Sequence, residues 1–146
     1  GVEYGKDLVS YIHLTLVPFI RASDEIKTKP TQHSVKELRS IGIQPDILVC
    51  RSERIISDQD KKKIALFTNV EAKAVINSVD VDDIYEVPLL LHSQGLDDII
   101  VEKLNLSCEK TSLEAWKKYK DKRNNLTNKI SIKIIANYGN YSESYK

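Results

Sequence analysis

The sequence predicts an α/β fold with a mostly parallel sheet, because short apolar segments alternate with helical ones. Residues 8–19 and 46–50 are apolar and rich in β-branched side chains, as strands buried on both faces of a parallel sheet are. A helical pattern follows each of them, over residues 30–40 and then over residues 61–67. Strand, helix, strand, helix is the order of a doubly wound α/β sheet, in which helices cross over between parallel strands.

Two residues can open the first helix. Proline is favoured at the first helical position, so Pro30 is one start, and Gly42 then provides the stop. Ser34 is the other start, because Glu37 three residues later completes a capping box. With either start, the apolar spacing predicts a buried face made of Val35, Leu38 and Ile41.

Caps and apolar spacing place the elements of the middle of the chain. Ser57 or Asp58 caps the second helix, and residues 74–76 form a third short strand. Asp82 and Asp83 can cap a helical turn at residues 84–85. Two further helices are expected at residues 89–92, opened by Pro88, and at residues 97–104.

The last part of the sequence is more polar. A highly charged helix is expected at residues 113–123, with Trp116 and Tyr119 forming a packing face. Two asparagines end it, which places a domain boundary at residues 124–128. Beyond that boundary, residues 130–135 are expected to form a strand and residues 138–142 a turn-rich tail.

Composition excludes function classes rather than naming one. The chain has 146 residues, of which 41% are hydrophobic and 29% charged, as in an ordinary soluble domain. Its net charge of +1 gives no general attraction to nucleic acid or to an anionic membrane. The apolar runs are too short to span a bilayer and no signal peptide opens the chain, so a cytoplasmic protein is expected. The lack of methionine suggests a piece of a longer polypeptide.

The residue types that bind metals or form disulfides are not spaced for either role. Cys50 and Cys108 show no CxxC or zinc spacing, and Cys50 ends an apolar strand, which favours a buried thiol. The acidic residues near position 80 sit where helix caps are expected, and no further ligands complete a cage. No metal ligand and no catalytic residue is assigned in this chain.

A basic segment in front of the first helix has the features of an anion site. Lys27 and Lys29 lie two residues apart just before the helix, where backbone amides lack acceptors and the helix dipole is positive. An anion could be held there by both lysines. A solvated basic turn fits the composition equally well.

The surrounding residues favour the anion site, because they resemble a known family. Residues 27–38, KTKPTQHSVKEL, continue into 39–52 in a pattern that closely resembles the synthetase domain of the CTP synthase family. Matching segments occur in the family's order at 13–19 (HLTLVPF), 63–67 (KIALF), 80–88 (DVDDIYEVP) and 94–97 (QGLD). The resemblance covers about residues 11–106 and returns weakly at 130–146.

The resemblance implies a fold and a domain organisation. The fold would be part of a doubly wound, mostly parallel sheet of the phosphate-loop synthetase type, which is dethiobiotin synthetase-like. Residues 1–123 would be the C-terminal portion of the synthetase, or amidoligase, domain. Residues 124–146 would be the linker and the start of a glutaminase domain.

The resemblance also implies binding residues on two sides of one site. The UTP and CTP side would consist of Lys27, Thr28, Lys29, Pro30, Thr31, Gln32 and Lys63. The ATP side would consist of Arg51, Val79, Asp80 and Val81. Without the resemblance, Lys63 would be a solvated helix residue and Arg51 an ordinary strand-end salt bridge. A family member has lysine where this chain has Val79, so recognition there would depend on the backbone.

The activity implied is the ATP-dependent amination of UTP to CTP, with glutamine or ammonia as the nitrogen source. ATP and Mg²⁺ would be bound mainly by regions outside this chain, and the isolated chain is expected to be inactive. UTP, CTP, ATP and a glutaminase domain of the same polypeptide would be the partners, in a homotetramer, with no nucleic acid and no membrane. The alternative is a non-enzymatic nucleotide-binding, regulatory or assembly module that lacks the catalytic regions.

Overall fold

The computed structural model describes residues 3–5, 7–109, 111–128, 130–133 and 135. Within them, ten strands and α-helices follow one another along the chain. In order, they are β1 (Ile12–Leu16), β2 (Phe19–Ile20), β3 (Glu25–Ile26), α1 (Lys29–Ser40), β4 (Ile47–Ser52), α2 (Asp58–Thr68), β5 (Val75–Val79), α3 (Val87–Ser93), α4 (Leu96–Lys103) and α5 (Glu114–Asn124). Two 3₁₀ turns, Ala72–Ala74 and Ile84–Glu86, precede β5 and α3.

The predicted α/β fold with a parallel sheet is confirmed. Strands β1, β4 and β5 form a sheet in that order, and both pairings are parallel. β2 and β3 form a separate antiparallel hairpin between β1 and α1. Helix α1 packs on β1 and on α2, while α3 packs on β5. The order strand, helix, strand, helix therefore produces the crossovers that parallel pairing requires.

The core lies between the sheet and these helices. Its fully buried apolar side chains come from α1, α2, β4 and β5, and consecutive strand residues such as Ile47 and Leu48 point to opposite faces of the sheet. They include Val35, Ile47, Leu48, Ile64, Val75 and Ile76. Helices α3 and α4 add partly buried apolar residues that pack against this core, namely Leu91, Leu96, Ile99 and Ile100.

The first strand is shorter than predicted. Residue Leu8 is exposed and has no strand pairing, and β1 begins only at Ile12. At its other end the chain leaves the sheet after Leu16, and the backbone N–H of Lys27 donates to the Pro18 carbonyl across the hairpin, at 2.9 Å. The apolar run that suggested one long strand thus divides at Val17 and Pro18 into a sheet strand and a hairpin strand.

Helix α1 begins before Ser34, so that alternative start is wrong. The helix opens at Lys29 with Pro30 in its first turn, as the proline preference predicted. Ser34 lies within the helix, and its hydroxyl is 2.8 Å from Nε2 of His13 on β1. The predicted burial of Ile41 is also wrong. The helix ends at Ser40, and Ile41 is 73% exposed in the turn that Gly42 makes with its positive φ of 88°.

Most of the predicted caps are confirmed. The hydroxyl of Ser57 accepts from the backbone N–H of Asp60 at the start of α2. Asp83, and not Asp82, caps the 3₁₀ turn by accepting from the N–H of Tyr85. Pro88 lies in the first turn of α3. The strands β4 and β5 extend two to three residues beyond their predicted ends, because each pairs along its length with a neighbour.

The last predicted strand is wrong where it can be examined. Residues 130–133 and 135 have no regular secondary structure. The predicted helix at 113–123 is confirmed as α5, and it ends at the asparagines as expected. The predicted tail at 138–142 lies outside the described residues. Among the described helices, none has the length and apolar character needed to cross a bilayer.

Candidate functional site

The candidate site lies at the edge of the sheet where the three parallel strands end. Parallel strands have their carboxyl ends on the same edge, so the loops after β1, β4 and β5 meet there. These loops cover residues 17–28, 53–57 and 80–83. All but one of the residues predicted from sequence to bind nucleotides lie in these loops, at the strand ends or in the first turn of α1. The exception, Lys63, lies on α2.

The hairpin delivers the basic segment to this edge. Pairing of Phe19 with Ile26 turns the chain back toward the end of β1, and the next residues enter α1. The side chains of Lys27 and Lys29 are exposed. The ammonium of Lys27 forms an ion pair with Glu25, two residues earlier. Both lysines therefore stand beside the helix N-terminus, where the dipole favours an anion.

The two threonines of this segment face the interior. Thr28 is 4% exposed and Thr31 is 0% exposed. The Thr31 hydroxyl donates to the carbonyl of Leu16 at 3.1 Å, and it is 3.2 Å from the hydroxyl of Thr15. These bonds fix the helix start against the end of β1. The Thr28 and Thr31 side chains therefore hold the segment in place, while its lysines and the exposed Pro30 face outward.

Gln32 completes the helix start. Its side-chain amide donates to the hydroxyl of Thr28 at 3.2 Å, and its backbone N–H donates to the Thr28 carbonyl at the same distance. Gln32 is half-buried. Its side-chain carbonyl oxygen adds a hydrogen-bond acceptor at this helix start.

Lys63, predicted from a separate part of the sequence, contributes to the electrostatic environment of Glu25. The hydrogen bond and the charge of Lys27 hold the pKa of Glu25 below its ordinary value, and the charge of Lys63 on α2 lowers it further. Sequence analysis missed Glu25. The available signal was an acid two positions before Lys27, on the same side of an extended segment.

The four residues assigned to the ATP side lie together. Arg51, Val79, Asp80 and Val81 line a cavity of about 460 Å³ with Ser78, Ile84 and Val87. Nε of Arg51 is 3.0 Å from Oδ1 of Asp80, and both side chains are about half exposed. The strand-end salt bridge that sequence allowed for Arg51 is thus present, and it forms one wall of the cavity.

A buried polar network supports this edge of the sheet. The side chain of Asn77 on β5 accepts from the N–H of Ile56 at 2.9 Å and donates to the hydroxyl of Ser52 at 2.8 Å. The side chain of Gln94 pairs with both backbone groups of Asn77, at 2.8 and 2.7 Å, as a neighbouring strand would. These residues hold the loop after β4 in position. Sequence analysis missed them, because lone amides carry no distinctive pattern.

No acidic cluster in the described residues is arranged to hold a metal ion. Asp80 pairs with Arg51, and Asp83 caps a turn while bonding Arg123 at 2.8 Å. The thiol of Cys50 is fully buried, and burial raises its pKa to about 12. Its predicted role as a buried thiol is confirmed, and a thiol with so high a pKa is a poor nucleophile. The site thus offers lysines, an arginine and backbone groups, a set suited to binding phosphates.

Comparison with known families shows the family to which the chain belongs. The family model described as CTP synthase N-terminus matches residues 1–106. The chain belongs to the CTP synthase N-terminus family. The match includes the basic segment, Lys63 and the residues around the cavity, and it ends before α5. Membership of the CTP synthase family associates the chain with a family of ligases.

Proposed function

We propose that this chain is the part of a CTP synthase that binds the triphosphate of UTP and of its product CTP. In the whole enzyme, ATP would phosphorylate the 4-oxygen of UTP, and ammonia from glutamine or from solution would then displace phosphate at that carbon. The chain would bind and orient nucleotides in this reaction. Its described residues offer binding groups rather than a nucleophile.

The observation that carries the proposal is the pair of exposed lysines, Lys27 and Lys29, at the N-terminus of α1. Lys27 pairs with Glu25, and the positive charge of Lys63 on α2 also lowers the pKa of that carboxyl. A triphosphate carries several negative charges, which require several cations at one place. Lys29 and the first amides of α1 add to the same positive region.

The ATP side would be the cavity at the ends of β4 and β5. Arg51 supplies a cation at its edge, and Val79 and Val81 supply apolar surface and backbone groups. Such a combination suits a flat base with polar edges. Because valine stands at position 79, recognition there would use the backbone and apolar contact rather than a charged side chain.

Other parts of the enzyme would complete the site. Mg²⁺ and most of the ATP phosphates would be held by regions outside this chain, since Asp80 and Asp83 beside the cavity are already paired with arginines. We place residues 1–123 in the synthetase domain and 124–146 in a linker toward a glutaminase domain. A homotetramer would be the working assembly.

The test compares alanine substitutions of Lys27 and Lys63 with an alanine substitution of Lys62. In the full-length enzyme, Lys27→Ala and Lys63→Ala should each weaken UTP and CTP binding about ten- to hundredfold, as loss of a hydrogen bond to a charged group predicts. Both nucleotides should lose affinity equally, because they share the triphosphate. Lys62→Ala, adjacent to Lys63 and equally exposed, is the matched control and should change affinity less than about twofold. Isothermal titration calorimetry measures all of these constants.

Unchanged affinity in both the Lys27 and Lys63 variants would refute the assignment of the triphosphate site. The isolated chain should form no CTP from UTP, ATP and ammonia. CTP formation by this chain alone would contradict the proposal that other regions of the enzyme are needed to complete the site.

A further inference from the structure

Helix α5, which follows the family match, concentrates its contacts on one short segment. That segment, residues 83–86, contains the 3₁₀ turn between β5 and α3. Nε1–H of Trp116 donates to the carbonyl of Tyr85 at 2.7 Å. The Tyr85 ring lies 5.9 Å from the Trp116 ring and 5.5 Å from the Tyr119 ring, centroid to centroid. Tyr85 is therefore packed against two aromatic side chains of α5.

Two ion pairs join α5 to the same segment. Nη1 of Arg123 is 2.8 Å from Oδ1 of Asp83, and Nζ of Lys120 is 2.8 Å from Oε1 of Glu86. The guanidinium of Arg123 also lies over the Tyr85 ring, 4.7 Å from its centroid. Arg123 thereby bonds the carboxylate that caps the turn, since Oδ1 of Asp83 also accepts from the N–H of Tyr85.

The segment that α5 contacts forms a wall of the cavity at the sheet edge. Ile84 lies between the contacted residues Asp83 and Tyr85, and its side chain lines the cavity together with Val87. At the other end of this loop, the N–H of Asp80 donates to the carbonyl of Ser52 at 2.9 Å. The loop is thus fixed at Asp80 by the sheet and at residues 83–86 by α5.

A 3₁₀ turn of three residues has little stability of its own, because its hydrogen bonds are poorly aligned and few. Each exposed ion pair contributes little alone. Together with the hydrogen bond from Trp116 and its ring contacts, however, these ion pairs all restrain the same four residues. Restraint of a cavity wall in its binding geometry raises affinity by reducing the entropy lost on binding.

We propose that α5 clamps the wall of the nucleotide cavity, with Trp116, Lys120 and Arg123 as positioning residues for the nucleotide that enters it. They touch the wall from behind and do not contact the ligand. This inference rests on the proposed function, which assigns the cavity to the base of ATP. It adds a requirement for α5, which lies beyond the matched residues 1–106.

The first experiment measures, in the absence of nucleotide, how strongly α5 restrains residues 83–86. Hydrogen exchange at the amides of Tyr85 and Glu86 should become faster in Arg123→Ala than in the parent protein. Lys117→Ala is the matched control, because Lys117 is a cation on the same helix that pairs with Glu114 inside α5. It should leave this exchange unchanged. Trp116 is the only tryptophan of the chain, so tryptophan fluorescence reports on it. The emission maximum should shift to longer wavelength in Arg123→Ala and stay unchanged in Lys117→Ala.

The second experiment measures positioning in the full-length enzyme. Arg123→Ala should raise KM for ATP roughly three- to tenfold, about the effect of losing one hydrogen bond to a charged group at a partly exposed site. KM for UTP should stay within twofold, and Arg123→Lys should restore most of the ATP affinity. Trp116→Phe, which retains a ring but loses the donor, should show an intermediate effect.

The outcomes separate this inference from the proposed function. Faster exchange in Arg123→Ala with unchanged KM for ATP would overturn the positioning role. Unchanged exchange would overturn the clamp itself. If the parent enzyme binds ATP without protecting the amides of residues 79–81, the cavity assignment in the proposed function fails, whereas the exchange comparison between Arg123→Ala and Lys117→Ala still tests the clamp.

Discussion

Three consecutive lysines on α2 have three different environments. Nζ of Lys61 donates to Oε1 of Gln94 at 3.3 Å, and Lys62 is exposed. The positive charge of Lys63 lowers the pKa of Glu25. Successive helical residues point about 100° apart, so neighbours in sequence face different parts of the molecule. The contacts that each of these three lysines makes therefore depend on the direction of its side chain, although all three carry the same charge.

Asn77 is the residue whose loss should destabilise the site edge most. Asn77→Ala leaves the buried N–H of Ile56 without its acceptor and removes a donor to Ser52. Unsatisfied buried polar groups are costly, so the free energy of unfolding should fall by about 2–4 kcal/mol. Urea unfolding followed by circular dichroism measures this change.

The control for Asn77 is its neighbour on β5. Ser78→Ala removes a half-buried hydroxyl at the cavity and should change the unfolding midpoint much less. Equal midpoints for the two variants would contradict the role given to the Asn77 network.

Among the elements, the junction of α3 and α4 is held by a hydrogen bond between a histidine and a carboxylate. Nδ1 of His92, near the end of α3, is 2.7 Å from Oδ2 of Asp97 in the first turn of α4. Burial opposes ionisation of Asp97, but His92 and Thr111 outweigh it and lower the pKa of this carboxyl. Gly95 enables the tight connection, because it adopts a positive φ of 76° between the helices.

This junction should make stability depend on acidic pH. A carboxyl whose pKa is lower in the folded chain stabilises it fully above its unfolded pKa of about 3.9, and the contribution disappears as pH falls through the folded pKa. Between pH 5 and pH 3, the urea midpoint should therefore decrease less in Asp97→Asn than in the parent protein. Asp98→Asn, at the exposed neighbouring position, should retain the parent's dependence. Identical slopes for Asp97→Asn and the parent would contradict the role of the pair.

At the scale of the whole molecule, one face of the sheet is open at β1. Ile12, Leu14 and Leu16 alternate along this strand, point to the same face and are 47%, 67% and 58% exposed. Within the described residues, β1 pairs with β4 on one side only. An apolar strip on an unprotected strand edge promotes association with other strands.

The chain of residues 1–146 should consequently self-associate through β1. Leu14→Lys should shift the molecular mass in analytical ultracentrifugation toward the monomer while the circular dichroism spectrum stays the same, because a charge at a strand edge opposes pairing. Leu66→Lys, which replaces a leucine that is 79% exposed on α2, is the control and should leave the mass distribution unchanged. Equal effects of both substitutions would point to general surface hydrophobicity instead.

The sequence by itself determined the α/β class, most of the caps and the location of the basic segment, because these depend on local properties. Apolar spacing selects strands and helices, proline and serine select helix starts, and Lys27 and Lys29 remain next to the helix they precede wherever that helix packs. The ends of β1, β4 and β5 were predicted less well, since pairing with a neighbour sets the length of a strand.

Only the tertiary structure decided which distant residues share a site. It gathered Arg51 and residues 78–81 around one cavity, and it placed α5 against residues 83–86. It also turned Thr28 and Thr31 inward and left Ile41 exposed. The physical reason is that helix packing and strand pairing fix the direction of each side chain, and sequence spacing within a single element does not contain that information.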